Sequence, residues 1–309
     1  MTAIPANFPA PKRRRHSWRK TIEGYLFIGP VVLGLIIWTF GPMIASAYYS
    51  LTDYRIVQPP EFIGFGNYIE LFTTDRLFIQ SLSVTVRYGL MFMVLGQIVS
   101  LLLAVLLTQK VRGMAIFRTF FYMPIIVPYV ASALLWRYLY NKDFGPINAV
   151  LQAIGLDPIN WLGSPESSLF SMVIMSVWTG AVTTIIYVAG LQQIPEDLHD
   201  AAKIDGANAV QRFFAVTIPM LSPTIFFNVV TGFIGSFQFF VPAFLMTDGG
   251  PIKSTYFYNL NIYEKAFRWL EMGYASAMAW VLFIIIMAIT VVLFRVSNRW
   301  VYYEGSNER

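Results

Sequence analysis

Six long apolar runs limit what this chain can fold into. They cover roughly residues 25–50, 83–108, 114–138, 168–190, 219–244 and 275–294. At about 1.5 Å of rise per helical residue, each can cross a hydrocarbon core about 30 Å thick, with room for tilt. Pro124 and Pro128 predict a kink inside the third run. The first run is longer than the ~7–15 apolar residues of a cleaved signal peptide, so it is read as a retained helix. Composition agrees. Hydrophobic residues make up 56% of the 309 and charged residues 13%, against about 45–50% and about 25% in soluble domains. The expected fold class is all-α, a polytopic membrane protein with six transmembrane helices.

Charge orients the spans. Six of the 22 Lys and Arg residues fall between Lys12 and Lys20, ahead of the first run. Both tails, the 109–113 turn with nearby Arg118, and segment 191–218 share one side, which holds 14 of the 22. The other side holds 8, although its loops (51–82, 139–167 and 245–274) are longer. Basic residues collect on the cytoplasmic side of short loops, so both termini and segment 191–218 are predicted to be cytoplasmic. The net charge of +5 is spread along these flanks rather than gathered in one patch, so no nucleic-acid partner is expected. The chain divides into a basic tail (1–24), the first span with its outer loop (25–82), a core (83–298) interrupted by 191–218, and a second tail (299–309).

Several chemistries are excluded. All 17 Asp and Glu residues lie in loops, tails or span ends, whereas ion-driven carriers place a costly ionisable group inside the membrane. Cysteine is absent, and the two histidines, His16 and His199, belong to no metal-ligand cluster. There is no G-x-x-x-x-G-K-[ST] phosphate loop. No catalytic residue, metal or cofactor is expected, and energy for any active transport must come from another polypeptide.

Segment 191–218 is the place for that energy to enter. Pro195 suits a first helical turn, and Glu196, Asp197 and Asp200 put negative charge at the positive end of the helix dipole. Ala201 and Ala202 give a smooth surface, and Asp205-Gly206 provides a C-terminal cap. The first helix, of about ten residues, would be a peg about 15 Å long. A second short helix is expected over 207–216, with Phe213, Phe214 and Val216 packed back on the membrane helices and Pro219 and Pro223 closing the segment. An amphipathic interfacial loop with no partner satisfies the same pattern, and composition alone leaves that open.

The residues then show a resemblance. Asp200-Ala201-Ala202-Lys203-Ile204-Asp205-Gly206-Ala207, followed by Phe213, Thr217-Ile218-Pro219 and Pro223, resembles the cytoplasmic E-A-A-x-x-x-G loop of bacterial ABC-importer permeases, with Asp200 in place of the usual glutamate. Thr247-Asp248-Gly249-Gly250-Pro251-Ile252-Lys253-Ser254-Thr255 resembles a loop of the carbohydrate-uptake subgroup. So do Phe62-Ile63-Gly64-Phe65-Gly66-Asn67-Tyr68, residues 262–267 and residues 272–277. The resemblance covers about residues 25–300. It implies a type I importer permease fold in the bacterial cytoplasmic membrane. The implied partners are a second, homologous permease, a cytoplasmic ABC ATPase dimer and an extracytoplasmic solute-binding protein, and the implied substrate is a sugar. It makes Asp200, Ala201, Ala202, Asp205, Gly206 and Ala207 the ATPase-coupling set, and Asp248, Gly249, Gly250 and Pro251 a loop facing the binding protein. An ordinary tight turn is the simpler explanation of the glycines, and the two readings are compatible.

Polar and aromatic residues on the fourth and fifth spans are candidates for a solute path: Trp178, Thr183, Ser236 and Gln238. Hydrogen bonding from helix to helix accounts for such groups just as readily. Arg87, Arg118 and Arg137 read as anchors near span ends. A non-sugar solute such as a phosphorylated polyol, and a scaffold or sensor without transport, are the alternative readings.

Overall fold

The computed structural model describes residues 18–302. The first tail is therefore seen only from Trp18 and the second only to Tyr302; Lys12, Arg13, Arg14, Arg15 and Arg309 lie outside the described residues.

The first span is α1 (Trp18–Leu35), a π-helical turn at Ile36–Phe40, and α2 (Gly41–Tyr49). Proline clashes with the carbonyl four residues back and brings no N–H, and the wide π turn lies immediately ahead of Pro42. None of the span's apolar window is buried within the chain. It packs through α2 on the last span, α14 (Met272–Ser297), where the Trp280 indole N–H meets Ser46 Oγ at 3.2 Å.

Two short strands, β1 (Thr52–Asp53) and β2 (Glu61–Phe62), pair antiparallel and lead into α3 (Gly66–Thr73). Asp75 then starts α4 (Arg76–Leu107) by accepting the N–H groups of Leu77 and Phe78 at 2.8 and 3.2 Å. Its 32 residues extend about 48 Å, well beyond the hydrocarbon thickness. The helix thus begins seven residues before the apolar run.

The third run departs from the expected kinked rod. It forms α5 (Met114–Ile126) and α6 (Tyr129–Leu139), bent by 102°. Pro124 and Pro128 each remove a helical donor, and a residue before proline is driven out of the helical region. Val127 accordingly takes ψ 123°. The fourth run is also broken, into α8 (Pro165–Thr179) and α9 (Ala181–Gln192), bent by 47° at Gly180. A short α7 (Pro146–Ala153) lies in the preceding loop.

Beyond α9 come α10 (Glu196–Ile204), α11 (Ala209–Arg212), a π turn at Phe213–Thr217 and α12 (Ile218–Phe237). The chain continues through a π turn at Ala243–Thr247, α13 (Tyr258–Tyr263) and another π turn at Glu264–Arg268 into α14. Among the described residues, four helices are long and apolar enough to cross a membrane: Ile22–Tyr49, Arg76–Leu107, Ala209–Phe237 and Met272–Ser297. Counting each bent pair as one span brings the number to six.

α4 is the axis, packed against α8, α9, α12 and α13. Lipid tails are as apolar as leucine, so close approach and hydrogen bonds hold such helices together. A Cβ on Gly89 would lie 3.0 Å from Ser236 Oγ, and one on Gly190 would lie 2.7 Å from Thr224 Oγ1. These two glycines let α12 approach α4 and α9. Tyr88 donates to Ser176 Oγ at 2.7 Å, Thr85 Oγ1 accepts the Tyr258 N–H at 2.9 Å, and Asn261 reaches Ser81 Oγ at 3.3 Å. Those bonds bolt α8 and α13 to α4. Around them lies an aromatic core that includes Tyr88, Trp136, Tyr140, Phe239 and Phe257.

Candidate functional site

The polar segment between α9 and α12 folds as a knob. Pro195, at φ −58° and ψ 131°, precedes α10, and Glu196 and Asp197 occupy its first turn. The helix closes with two reversed bonds, from Gly206 N–H to Lys203 O at 3.0 Å and from Ala207 N–H to Ala202 O at 2.9 Å. This pairing satisfies the last carbonyls and requires a left-handed residue. Gly206, at φ +81°, supplies it.

Asn208 then starts α11 with reciprocal bonds: Asn208 Oδ1 accepts the Gln211 N–H at 2.9 Å, and Gln211 Oε1 accepts the Asn208 N–H at 2.8 Å. The second helix is therefore shorter than the expected 207–216, because residues 213–217 form a π turn that runs directly into α12. Pro219 and Pro223 do not close the knob. Pro219 sits in the first turn of α12, directly after the π turn, and Pro223 lies inside the helix. Nor does Phe214 pack back on the membrane helices: it is 65% exposed, and only Phe213 and Val216 are partly buried.

Of the coupling candidates, Asp200, Ala201, Asp205 and Gly206 are exposed, whereas Ala202 and Ala207 are half-buried under the cap. Ile204 and Val210 add exposed apolar surface beside them. The charges are paired locally. Lys203 Nζ lies 2.7 Å from Asp200 Oδ1, and Lys110 Nζ lies 2.8 Å from Glu196 Oε1. Lys203 holds the Asp200 carboxyl below its ordinary value, and Lys110 does the same for Glu196. A groove of about 460 Å³ runs between the knob and the turn after α4, lined by Lys110, Glu196, His199, Asp200, Lys203 and Arg212 among others. Arg212 donates to Ala207 O at 2.8 Å, and Arg118 donates twice to Leu107 O, at 3.0 and 2.7 Å. Sequence reading missed Lys110 as a partner of the knob and Arg212 as a residue lining the groove. Lys110 is 86 residues from Glu196, and only the fold brings them together.

The 248–251 loop is a constructed turn. Asp248 and Gly249 take φ +47° and +83°. Arg268 holds both Asp248 oxygens, at 3.1 and 3.2 Å, and the Glu264 carboxylate at 2.7 Å. Thr255 Oγ1 donates to Gly250 O at 2.6 Å and lies 2.7 Å from Thr247 Oγ1. A Cβ on Gly249 would lie 2.7 Å from Tyr256 Cδ2, so close packing as well as the positive φ calls for glycine. Arg268 also escaped the sequence reading. Nearby, Lys265 is buried at 8% exposure, 3.0 Å from Glu271, with its ammonium 4.2 Å from the Trp269 ring centre.

The four span residues occupy different environments. Trp178 stands at the end of α8, edge-on to Trp136 with ring centres 5.7 Å apart. Both indoles line a cavity of about 440 Å³ together with Phe120, Phe121, Pro124 and Thr184. The buried Trp136 Nε1 has no hydrogen-bond partner there. Thr183, half-buried across the Gly180 break, does not line this cavity; its neighbour Thr184 does. Ser236 is turned against Gly89, buried, and donates to Phe233 O at 2.8 Å. Gln238 is exposed where α12 ends. Among the described residues, no group of three His, Asp or Glu side chains could hold a metal ion.

Comparison with known proteins completes the picture. Residues 96–302 match the family described as "binding-protein-dependent transport system inner membrane component". The probable ABC transporter permease protein YesP of Bacillus subtilis is 42% identical over 97% of this chain and 98% of its own. The trehalose/maltose transport system permease protein MalF of Thermococcus litoralis is 32% identical over 91% of this chain and 95% of its own. A chain from the crystal structure of a bacterial alginate ABC transporter superposes with a TM-score of 0.81 at 21% identity, over 91% of this chain and 96% of that one.

Proposed function

The chain belongs to the binding-protein-dependent transport inner-membrane family, and from that premise we propose that it is the permease subunit of an ATP-driven importer for a carbohydrate. It works beside a second permease, an ATPase pair and an extracytoplasmic binding protein. Membership makes it a multi-pass membrane component of a transporter, and in the proposed orientation both termini lie inside.

One observation carries the reading: a capped, rigid nine-residue helix projects from the bundle and continues through α11 into α12. Closure of an ATPase pair would displace this peg as a rigid body and turn α12 against α4 and α9. Asp200, Ala201, Ala202, Asp205, Gly206 and Ala207 form its working surface, with the exposed Ile204 and Val210 as apolar neighbours. The braced loop at Asp248, Gly249, Gly250 and Pro251 meets the binding protein. The core at 83–298 carries the path, and segments 1–24, 25–82 and 299–309 flank it.

A carbohydrate is supported by the relatives' named systems, trehalose/maltose among them, and by the aromatic cavity between the bent third and fourth spans. Trp136 and Trp178 meet edge-on in that cavity and offer aromatic surface to a sugar ring, with the Thr184 hydroxyl beside them. Trp178, Thr183, Ser236 and Gln238 stay assigned to the path, with Ser236 reached only when α12 moves from Gly89. The test is ATP-dependent uptake into proteoliposomes that hold the four-subunit complex, with a panel of radiolabelled mono- and oligosaccharides and a phosphorylated polyol. Accumulation of a saccharide that stops without ATP is expected; accumulation of the phosphorylated polyol alone would overturn the substrate class.

A further inference from the structure

The start of α12 contains a flaw that another part of the chain repairs. Pro223 brings no N–H, so the Pro219 carbonyl loses its helical donor. The Ser222 hydroxyl takes that place, donating to Pro219 O at 2.6 Å. Ser222 Oγ in turn accepts the backbone N–H of Tyr302 at 2.9 Å, and Ser222 is only 3% exposed.

Tyr302 lies beyond the last span. After α14 the chain turns back, with the N–H groups of Trp300 and Val301 donating to Ser297 O at 3.1 and 2.9 Å. Phe294 and Trp300 meet the Phe226 ring edge-on, at 5.0 and 6.1 Å between centres. Residues 300–302 therefore lie as a strap across the first turns of α12, just after the π turn that joins it to α11. A helix start weakened by two prolines and a π turn is the compliant stretch of this connection. Displacement of the knob would be absorbed there unless something stiffens it.

We infer that the strap Trp300–Tyr302, acting through Ser222, is a positioning device that joins the start of α12 to the end of α14, so that knob movement turns both spans together. This rests on the coupling role proposed above. A contact used only for packing sets complex yield; a positioning contact sets how much solute moves for each ATP.

The test uses the full complex in proteoliposomes with its loaded binding protein. Tyr302→Pro removes the donated N–H together with the phenol ring and fixes φ, and Tyr302→Ala, which loses the ring but keeps the N–H, controls for the side chain. Ser222→Ala removes both bonds, and Ser222→Thr keeps the hydroxyl. Tyr302→Pro and Ser222→Ala should each lower solute moved per ATP about fivefold at parental complex yield, the low end of site-to-site coupling. Tyr302→Ala and Ser222→Thr should match the parent, and the double variant should be no worse than Ser222→Ala. An unchanged ratio in Tyr302→Pro and Ser222→Ala overturns the inference, and so does a fall in yield at unchanged ratio. A parental complex that the binding protein fails to stimulate refutes the functional reading instead, and the parent's own trace separates that failure from failure of the strap.

Discussion

The Lys110 ammonium and the Glu196 carboxylate meet at 2.8 Å, joining the turn after α4 to the first turn of the knob helix. Both side chains are exposed, so the pair is screened by salt. A pair this exposed adds little to the stability of the fold, so the effect expected of it is on the knob's angle.

Reversing either charge (Lys110→Glu or Glu196→Lys) should lower ATP hydrolysis stimulated by the binding protein, and the double swap should restore it. The deficit should shrink in ~1 M salt, where the parent loses the same contact. Lys110 depresses the Glu196 carboxyl, so this contribution is present above the unfolded carboxylate value of about 4.3 and is lost as pH falls through the depressed folded value. The Lys110 ammonium is raised in turn, so the pair also disappears as pH rises through that folded value, above about 10.4. Stimulation that is indifferent to both reversals would refute the pair's role.

Gly206 holds a left-handed turn with open space around it. Gly206→Ala should therefore cost the knob about 1–2 kcal/mol, through conformation alone, while Gly206→Asn should be milder. Asp200→Arg should abolish coupling while the chain still inserts, and Asp200→Glu should retain it. Membrane insertion, co-purification with the ATPase and stimulated hydrolysis, measured side by side, check all four variants.

On the opposite side, Gly249→Ala forces a Cβ into the Tyr256 ring, and Arg268→Ala leaves Asp248 without its clamp. Both should lose stimulation by the binding protein while basal ATP hydrolysis persists. If stimulation survives with the loop disordered by hydrogen exchange, the loop does not contact the binding protein.

Within the spans, Gln238→Ala and Trp178→Ala should change the apparent KM for uptake at unchanged ATPase assembly. Ser236→Ala should act differently, because its hydroxyl packs on Gly89 in the conformation described here. A larger Ser236→Leu should separate α12 from α4 and lower complex yield. Transport kinetics and yield, measured on the same preparations, distinguish path from packing.

The apolar runs, the charge bias and the Asp205-Gly206 break made the membrane class, the spans and the knob legible from sequence, because each depends on local composition or on one residue's backbone preference. The knob's cap is a clear instance: Gly206 was named as a terminator from its chemistry, and its left-handed turn allows the two reversed bonds that close α10, one from its own N–H and one from that of Ala207. The 102° bend was only partly legible. Pro124 and Pro128 announced a distortion, but its size depends on Val127 being driven extended while α5 and α6 find separate packing.

Other features were decided by tertiary structure alone. Lys110 reaches Glu196, Arg268 reaches Asp248 and Tyr302 reaches Ser222 across 86, 20 and 80 residues. No local pattern encodes such pairs, because they exist only once α4, α12 and α14 lie side by side. By itself the sequence determined that six apolar segments must leave water and that a polar helix must project between two of them. The fold decided what that helix is fastened to, because the partners of exposed charges and of a proline's orphaned carbonyl are set by which helices pack together.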